Sequence, residues 1–263
     1  MHPPTKNDFD RHIYAVQRYC AITSPRYAPL MQDSLATHPI PCFGNPASAI
    51  AVTVGLNPSS AEFKPGRSWS ATLTHSELAA RCANYFSPQA PGPPRGWFQP
   101  WSEGLDRLDV SYQAGSAVHL DLSPRATRPV SALKAPAQQR LFLEMVERDL
   151  WILFATLQLC QNAKLILVAG SVTGEYYMNE FLQRFSPDCG YALDRPFSRT
   201  RQRGRGKTAW HCLRGAGRSL PVFFCSSGPS DGRDTMLPQR LEENADTLKQ
   251  LLSRGGCSSL PPP

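Results

Sequence analysis

The sequence predicts an α/β fold, a three-layer α/β/α sandwich around a central, mainly parallel four-stranded sheet. Three observations lead there. Four short apolar runs are separated by longer segments whose apolar residues recur at helical spacing. That alternation is the pattern of parallel strands joined by helices that cover both faces of a sheet. The length of 263 residues suits one domain with a full core, and 25 prolines imply long, stiffened loops rather than a helical bundle.

In chain order, Phe9, Ile13, Val16 and Cys20 fall on one face of an opening helix, which the prolines at 25, 29, 39, 41 and 46 end. Residues 49–54, Ala-Ile-Ala-Val-Thr-Val, form a buried strand running directly into the segment GLNPSS (55–60). A helix over 77–85 precedes a polar, proline-rich excursion at 87–96. The second strand, Ala-Val-His-Leu-Asp (117–121), stops at LSPRATRP because Pro124 has no amide hydrogen. A helix over 137–159 carries Leu141, Met145, Ile152, Leu153 and Leu157 on its apolar side. A strand at 165–169, a helix at 174–184, a basic insertion and a strand at 221–225 follow. A last helix has Leu241, Ala245, Leu248 and Leu252 in step, and the tail GGCSSLPPP is expected to fray. The whole chain, 1–263, reads as one domain with the insertion at about 195–218.

Charge is concentrated. Eight Arg and Lys residues and no acid lie between Arg195 and Arg218, more than the formal net charge of +7 of the whole chain. Such a segment is either a solvated loop or a set of phosphate contacts, for which the guanidinium fork is well shaped. No apolar stretch is long enough to span a bilayer and the N-terminus lacks the apolar core of a secretory signal, which predicts a cytoplasmic protein. The eight cysteines show no metal-binding spacing and are expected to be reduced thiols, several of them buried.

Three of the four strands end in polar, proline-bearing segments: GLNPSS, DLSPRAT and SSGPSDGR. In an open α/β sheet such strand ends are where ligands bind. A strand ending in G-x-N-P, a second ending in a polar residue, and a proline loop after the last strand together resemble the uracil-DNA glycosylase superfamily over roughly residues 49–252. The first motif is closer to the G-x-N-P branches than to the uracil-specific branch.

This resemblance implies a monofunctional DNA N-glycosylase, a base-flipping hydrolase that leaves an abasic site without metal or organic cofactor. It implies a DNA partner, no membrane, and a monomer. Asn57 takes the place that orients the attacking water, aligning it by hydrogen bonds since an amide cannot take its proton; the alternative is an Asx turn. Gly55, Leu56, Ser59, Trp69 and Asp121 are the base-binding set. Trp69 stacks on the flipped base, with Phe63 second to it and simple core the alternative for the Trp. Asp121 stands where the uracil-specific enzymes read the base with Asn. A carboxylate there suits the exocyclic amine of cytosine, and His119 adjusts its charge; alternatively Arg125 or Arg128 merely holds it. Ser59, small where relatives carry a Tyr, leaves room for a C5 substituent or caps the next helix.

The DNA-binding set is Ser226, Ser227, Gly228, Ser230 and Arg233 with Arg199, Arg201, Arg203, Arg205 and Lys207. The last motif departs from the family, since residues 225–233 contain no histidine to stabilise the leaving base. The expected substrate is a C5-modified cytosine, such as hydroxymethylcytosine or its glucosylated form in viral DNA, hence antiviral defence. Uracil or mismatch repair is the alternative activity. A non-catalytic modified-base or nucleic-acid binding protein is the alternative class.

Overall fold

The computed structural model describes residues 5–31, 37–63, 69, 73–90, 94, 96–172, 176–196, 198–201, 207–226 and 236–257. In chain order its elements are α1 (Lys6–Tyr27), β1 (Cys42–Phe43), β2 (Ala51–Gly55), α2 (His75–Ala83), α3 (Gln99–Asp106), β3 (Ala117–Asp121) and α4 (Pro136–Leu159). There follow β4 (Leu165–Ala169), α5 (Met178–Phe185), β5 (Tyr191–Leu193), β6 (Ser198–Arg201), β7 (Lys207–Gly215), β8 (Arg218–Cys225), α6 (Met236–Glu243) and α7 (Ala245–Arg254).

The fold is mixed α/β around one mostly parallel central sheet. The four strands expected from sequence lie side by side in the order β3-β2-β4-β8, all parallel. The sheet is larger than four strands. β1 adds to β3, β7 pairs with β8, and β5 and β6 both pair with β7, all antiparallel, giving eight strands. β1 has only two residues, too few for any period to show. β7 is hidden in the sequence by its basic surroundings, yet Thr208 to Leu213 are all buried in it. The basic segment is therefore largely sheet rather than an excursion from it.

Helix ends differ from the sequence reading for local reasons. α2 begins at His75 because Thr74 and Glu77 form a capping box: the Thr74 amide donates to Glu77 Oε2 at 2.8 Å and the Glu77 amide to Thr74 Oγ1 at 3.3 Å. α1 runs through Pro25, which sits in its last turn. α5 starts at Met178 rather than near 174, and the single C-terminal helix is two, broken at Asn244. α3 had no counterpart in the sequence reading. Among the described residues no helix is long and apolar enough to cross a membrane.

The core is continuous on the sheet, with Val52, Val54, Leu120, Ile166, Val168 and Val222 all buried. The thiols are not all reduced as expected. Cys212 of β7 is joined by a disulfide to Cys257, 45 residues on, which fastens the chain beyond α7 to the sheet. The remaining six cysteines are not joined in disulfides. Tail residues 258–263 lie outside the described residues.

α1 also packs on α4 through a half-buried histidine. The Thr156 hydroxyl donates to Ile152 O at 2.7 Å, so its oxygen accepts from His12 Nε2 at 2.8 Å. Burial lowers the His12 pKa from 6.5 to about 4. A histidine whose folded pKa is depressed resists protonation that the unfolded chain accepts. Stability is thus undiminished by His12 above about pH 6.5 and falls as the pH drops from there to about 4. The loss should amount to about 2–3 kcal/mol. Unfolding titrations across this range should show that slope, and His12→Gln should flatten it.

Candidate functional site

Because β3, β2, β4 and β8 are parallel, their carboxyl ends meet on one edge of the sheet. A cavity of about 550 Å³ opens there. Gly55, Leu56, Asn57, Ser59, Asp121 and Ser226 all line it, so residues from three strand ends predicted as one site are brought together. Gly170 and Ser171, after β4, line it too. The sequence reading passed them over because that strand end carries no proline.

The parallel register sets the floor. Thr53 lies opposite His119 and Gly55 opposite Asp121. Side chains two apart on a strand share a face, so these four positions lie together. His119 and Asp121 then cross over Gly55 so closely that a Cβ there would stand 2.6 Å from Asp121 Oδ1 and 2.7 Å from His119 Nε2. Glycine is needed at this position for space. His119 is fully buried, with the Trp97 and Phe98 rings 4.9 and 5.2 Å from its own. Its Nε2 is 3.3 Å from Asp121 Oδ1 and its Nδ1 is 2.7 Å from Thr53 Oγ1.

Asp121 is held by neither arginine considered from sequence. Arg125 is buried against Asp149, Nε to Oδ2 2.9 Å, with its guanidinium carbon 5.6 and 5.2 Å from the Tyr19 and Tyr27 ring centres. Burial raises the Asp149 pKa, opposed by the Arg125 charge. Arg128 Nε donates to Met31 O at 2.8 Å. Among the described residues, Asp121 Oδ2 is buried without a hydrogen-bond partner, and so is Trp97 Nε1. Both residues line the cavity. A buried acceptor and a buried donor are thus left unpaired on two residues of the cavity lining, which is costly unless something pairs with them.

Asn57 is oriented by its neighbours. Its amide nitrogen donates to Pro58 O at 3.2 Å, Arg125 O at 3.0 Å and Thr127 Oγ1 at 3.0 Å. The Thr127 hydroxyl hydrogen is committed to Arg128 O at 2.8 Å, so Thr127 can only accept from Asn57. Three acceptors fix the amide nitrogen, and the carbonyl oxygen is left as an acceptor on the other side. These contacts use the amide nitrogen, whereas the Asx turn considered as the alternative would use the carbonyl oxygen as acceptor. Ser59 lines the cavity, and its Oγ accepts from the Ala61 amide at 3.2 Å.

Trp69 is not among the cavity-lining residues. It packs beside Phe63 and Tyr85, with ring centres 6.1 and 6.2 Å apart, so the alternative of a packing role describes it. Among the described residues, Trp97 is the aromatic one that lines the cavity, supplied by a short turn (Gly96–Phe98) after the proline-rich stretch. The pairing of His119 with Asp121 was expected from the sequence, whereas Thr53, a polar residue inside an apolar strand, was a visible signal of the buried network that went unused.

The basic hairpin reaches the same edge. β7 runs antiparallel to β8, so Lys207 at its start meets the end of β8: the Lys207 amide donates to Ser226 Oγ at 2.7 Å and the Ser226 amide to Lys207 O at 2.9 Å. Arg201 pairs with Lys207 and Arg199 with Ala209 across β6 and β7. Lys207 is exposed, its Nζ 4.7 Å from the Tyr177 ring centre. Two other cations of the segment serve the fold. Arg214 pairs with Asp194 at 2.9 Å, and Arg218 donates to the Cys160 and Ala163 carbonyls at 3.0 and 2.6 Å. Arg203, Arg205, Ser227, Gly228, Ser230 and Arg233 lie outside the described residues. Among the described residues, no three His, Cys, Asp or Glu are grouped to hold a metal ion.

Comparison with protein-family models, with curated proteins and with solved structures finds no match. The site is therefore read from its own chemistry. Its tightest steric constraint is testable: Gly55→Ala should destabilise the fold by about 1–3 kcal/mol, since the added methyl meets buried groups that cannot withdraw into solvent. A denaturant midpoint equal to that of the parent protein would mean that His119 and Asp121 do not lie over Gly55.

Proposed function

We propose that this chain is a monofunctional DNA glycosylase with a three-layer α/β/α domain of the uracil-DNA glycosylase type, and that it excises a C5-modified cytosine. The observation that carries the reading is the meeting of Asn57, Asp121 and Ser59 in one cavity at the carboxyl edge of the sheet, beside the basic hairpin. A flipped nucleotide needs such a concave, partly apolar site with few directed polar groups.

In this reading Asn57 accepts a hydrogen bond from water and aims its lone pair at the sugar C1′. The N-glycosidic bond breaks with its electron pair on the base, the water oxygen joins C1′, and a water proton neutralises the departing base. Positioning and electrostatics carry the step, as an amide is no base. Asp121 accepts from the exocyclic amine, and Ser59 leaves room at C5. Trp97 replaces Trp69 as the aromatic residue at the base. Arg199, Arg201 and Lys207 contact phosphates. A preference for modified cytosine fits action on viral DNA that carries such bases.

A second reading, a protein that binds a modified base without excising it, is favoured by the lack of histidine in residues 225–233.

The deciding assay incubates DNA carrying a single uracil, cytosine, hydroxymethylcytosine or glucosylated hydroxymethylcytosine and scores alkali-labile abasic sites. Release of a modified cytosine is expected, and Asn57→Ala should abolish it while binding persists. Tight binding without any abasic site selects the second reading, whereas rapid release of uracil alone returns the protein to ordinary uracil repair.

Arg199→Ala, Arg201→Ala and Lys207→Ala together should flatten the salt dependence of DNA affinity, by about 0.7 to 0.9 in slope per lost phosphate contact. An unchanged slope excludes the hairpin from the DNA interface.

A further inference from the structure

Four polar side chains stand in line beneath the cavity, each 4% exposed or less. Tyr112 Oη is 2.5 Å from Thr53 Oγ1, Thr53 Oγ1 is 2.7 Å from His119 Nδ1, and His119 Nε2 is 3.3 Å from Asp121 Oδ1. The line ends at Asp121 Oδ2, which has no hydrogen-bond partner among the described residues.

Hydrogens can be assigned along it. Burial pushes the Tyr112 phenol far above its usual ionisation, the Asp121 charge adds to this, and the Thr53 hydrogen bond opposes it. The phenol stays protonated and donates to Thr53 Oγ1, so the Thr53 hydroxyl hydrogen goes to His119 Nδ1 at 2.7 Å in preference to Val118 O at 3.4 Å. With Nδ1 accepting, the imidazole carries its hydrogen on Nε2, directed at Asp121 Oδ1. Were that hydrogen to rest on Oδ1 instead, it would still lie between the same two atoms. In both arrangements Oδ2 bears no hydrogen and can only accept.

We infer that the Tyr112–Thr53–His119 relay fixes Asp121 Oδ2 as an acceptor for the bound base, so that the site selects an amino-pyrimidine over the oxo-pyrimidine of the same shape. Asp121 is the specificity-determining residue, and Thr53, His119 and Tyr112 are positioning residues. The inference deepens the proposed glycosylase reading and rests on it. An exocyclic amine satisfies Oδ2, whereas a carbonyl in its place sets two acceptors against each other away from water. Trp97 Nε1, the unpaired donor at the same cavity, completes the match. The edge of cytosine presents an amine next to a ring-nitrogen acceptor, one group for each orphan.

The test compares 5-hydroxymethylcytosine with 5-hydroxymethyluracil in identical DNA, since the two differ only in the amine or carbonyl at C4. The parent protein should excise the amino form faster by roughly 10- to 100-fold, the range expected for a buried hydrogen bond to a charged group against an unpaired one. Asp121→Asn should collapse or invert that ratio. Thr53→Val and Tyr112→Phe, which touch no base, should reduce it, and Thr53→Ser should restore it. A purely structural role for the relay would slow both substrates alike and leave the ratio intact, which overturns the inference.

A second readout needs neither excision nor a variant. The two free 2′-deoxynucleosides are titrated against the parent protein's tryptophan fluorescence, and tighter binding of the amino form is expected. Discrimination in binding with no excision would sink the glycosylase reading and keep the selective pocket. Excision with equal rates for the two bases would do the reverse, and no binding or excision of either refutes both.

Discussion

The parallel pairing of β2 with β3, in the register that sets Gly55 against Asp121 and Thr53 against His119, is the constraint on which the site depends. A slip of one residue would send each of these side chains to the other face of the sheet. Buried polar groups inside two apolar strands are tolerated because they satisfy one another: Tyr112, Thr53 and His119 are each hydrogen-bonded within the line. The line terminates at a buried carboxyl oxygen with no hydrogen-bond partner among the described residues, on a residue that lines the cavity. Gly55 makes this possible by having no side chain where the imidazole and carboxylate pass.

The loops above this floor are held by separate anchors. Arg125 and Asp149 pin the segment after β3 to α1 and α4, with the Ser123 hydroxyl donating to Asp149 at 2.6 Å. Asn57 ties the segment after β2 to that same loop through the Arg125 carbonyl and Thr127. The bridge between Ser59 and Thr127 extends the pairing beyond the strands. Two strand ends thus behave as one rigid rim, which is what a site that works by positioning requires. On the far side Ser226 is locked to Lys207, joining the rim to the basic hairpin.

Much of the fold was legible because periodicity and punctuation are local properties. The strands at 117–121 and 165–169 coincide with β3 and β4, since short apolar runs bounded by turn residues leave little else possible. β7 was not legible, because its buried run from Thr208 to Leu213 shows no alternation and is flanked by Lys207 and Arg214 in a segment read for its charge. Cys212 and Cys257 gave no sign of their bond, as spacing cannot say which cysteines meet. In the site, the G-x-N-P segment and Asp121 were visible as strand-end residues. Trp69 was chosen over Trp97 because distance along the chain stood in for distance in space.

By itself, the sequence determined the alternation of strands and helices, the four parallel strands at the centre, and the polar strand ends where ligand chemistry gathers. These follow from side-chain hydrophobicity and backbone geometry within a few residues. The tertiary structure decided the strand order, the antiparallel extension through β7, which aromatic residue reaches the cavity, and the relay that ends in Asp121. Each of those depends on residues far apart in the chain whose meeting is set by sheet register and packing, and register is a relation between strands that no single segment contains.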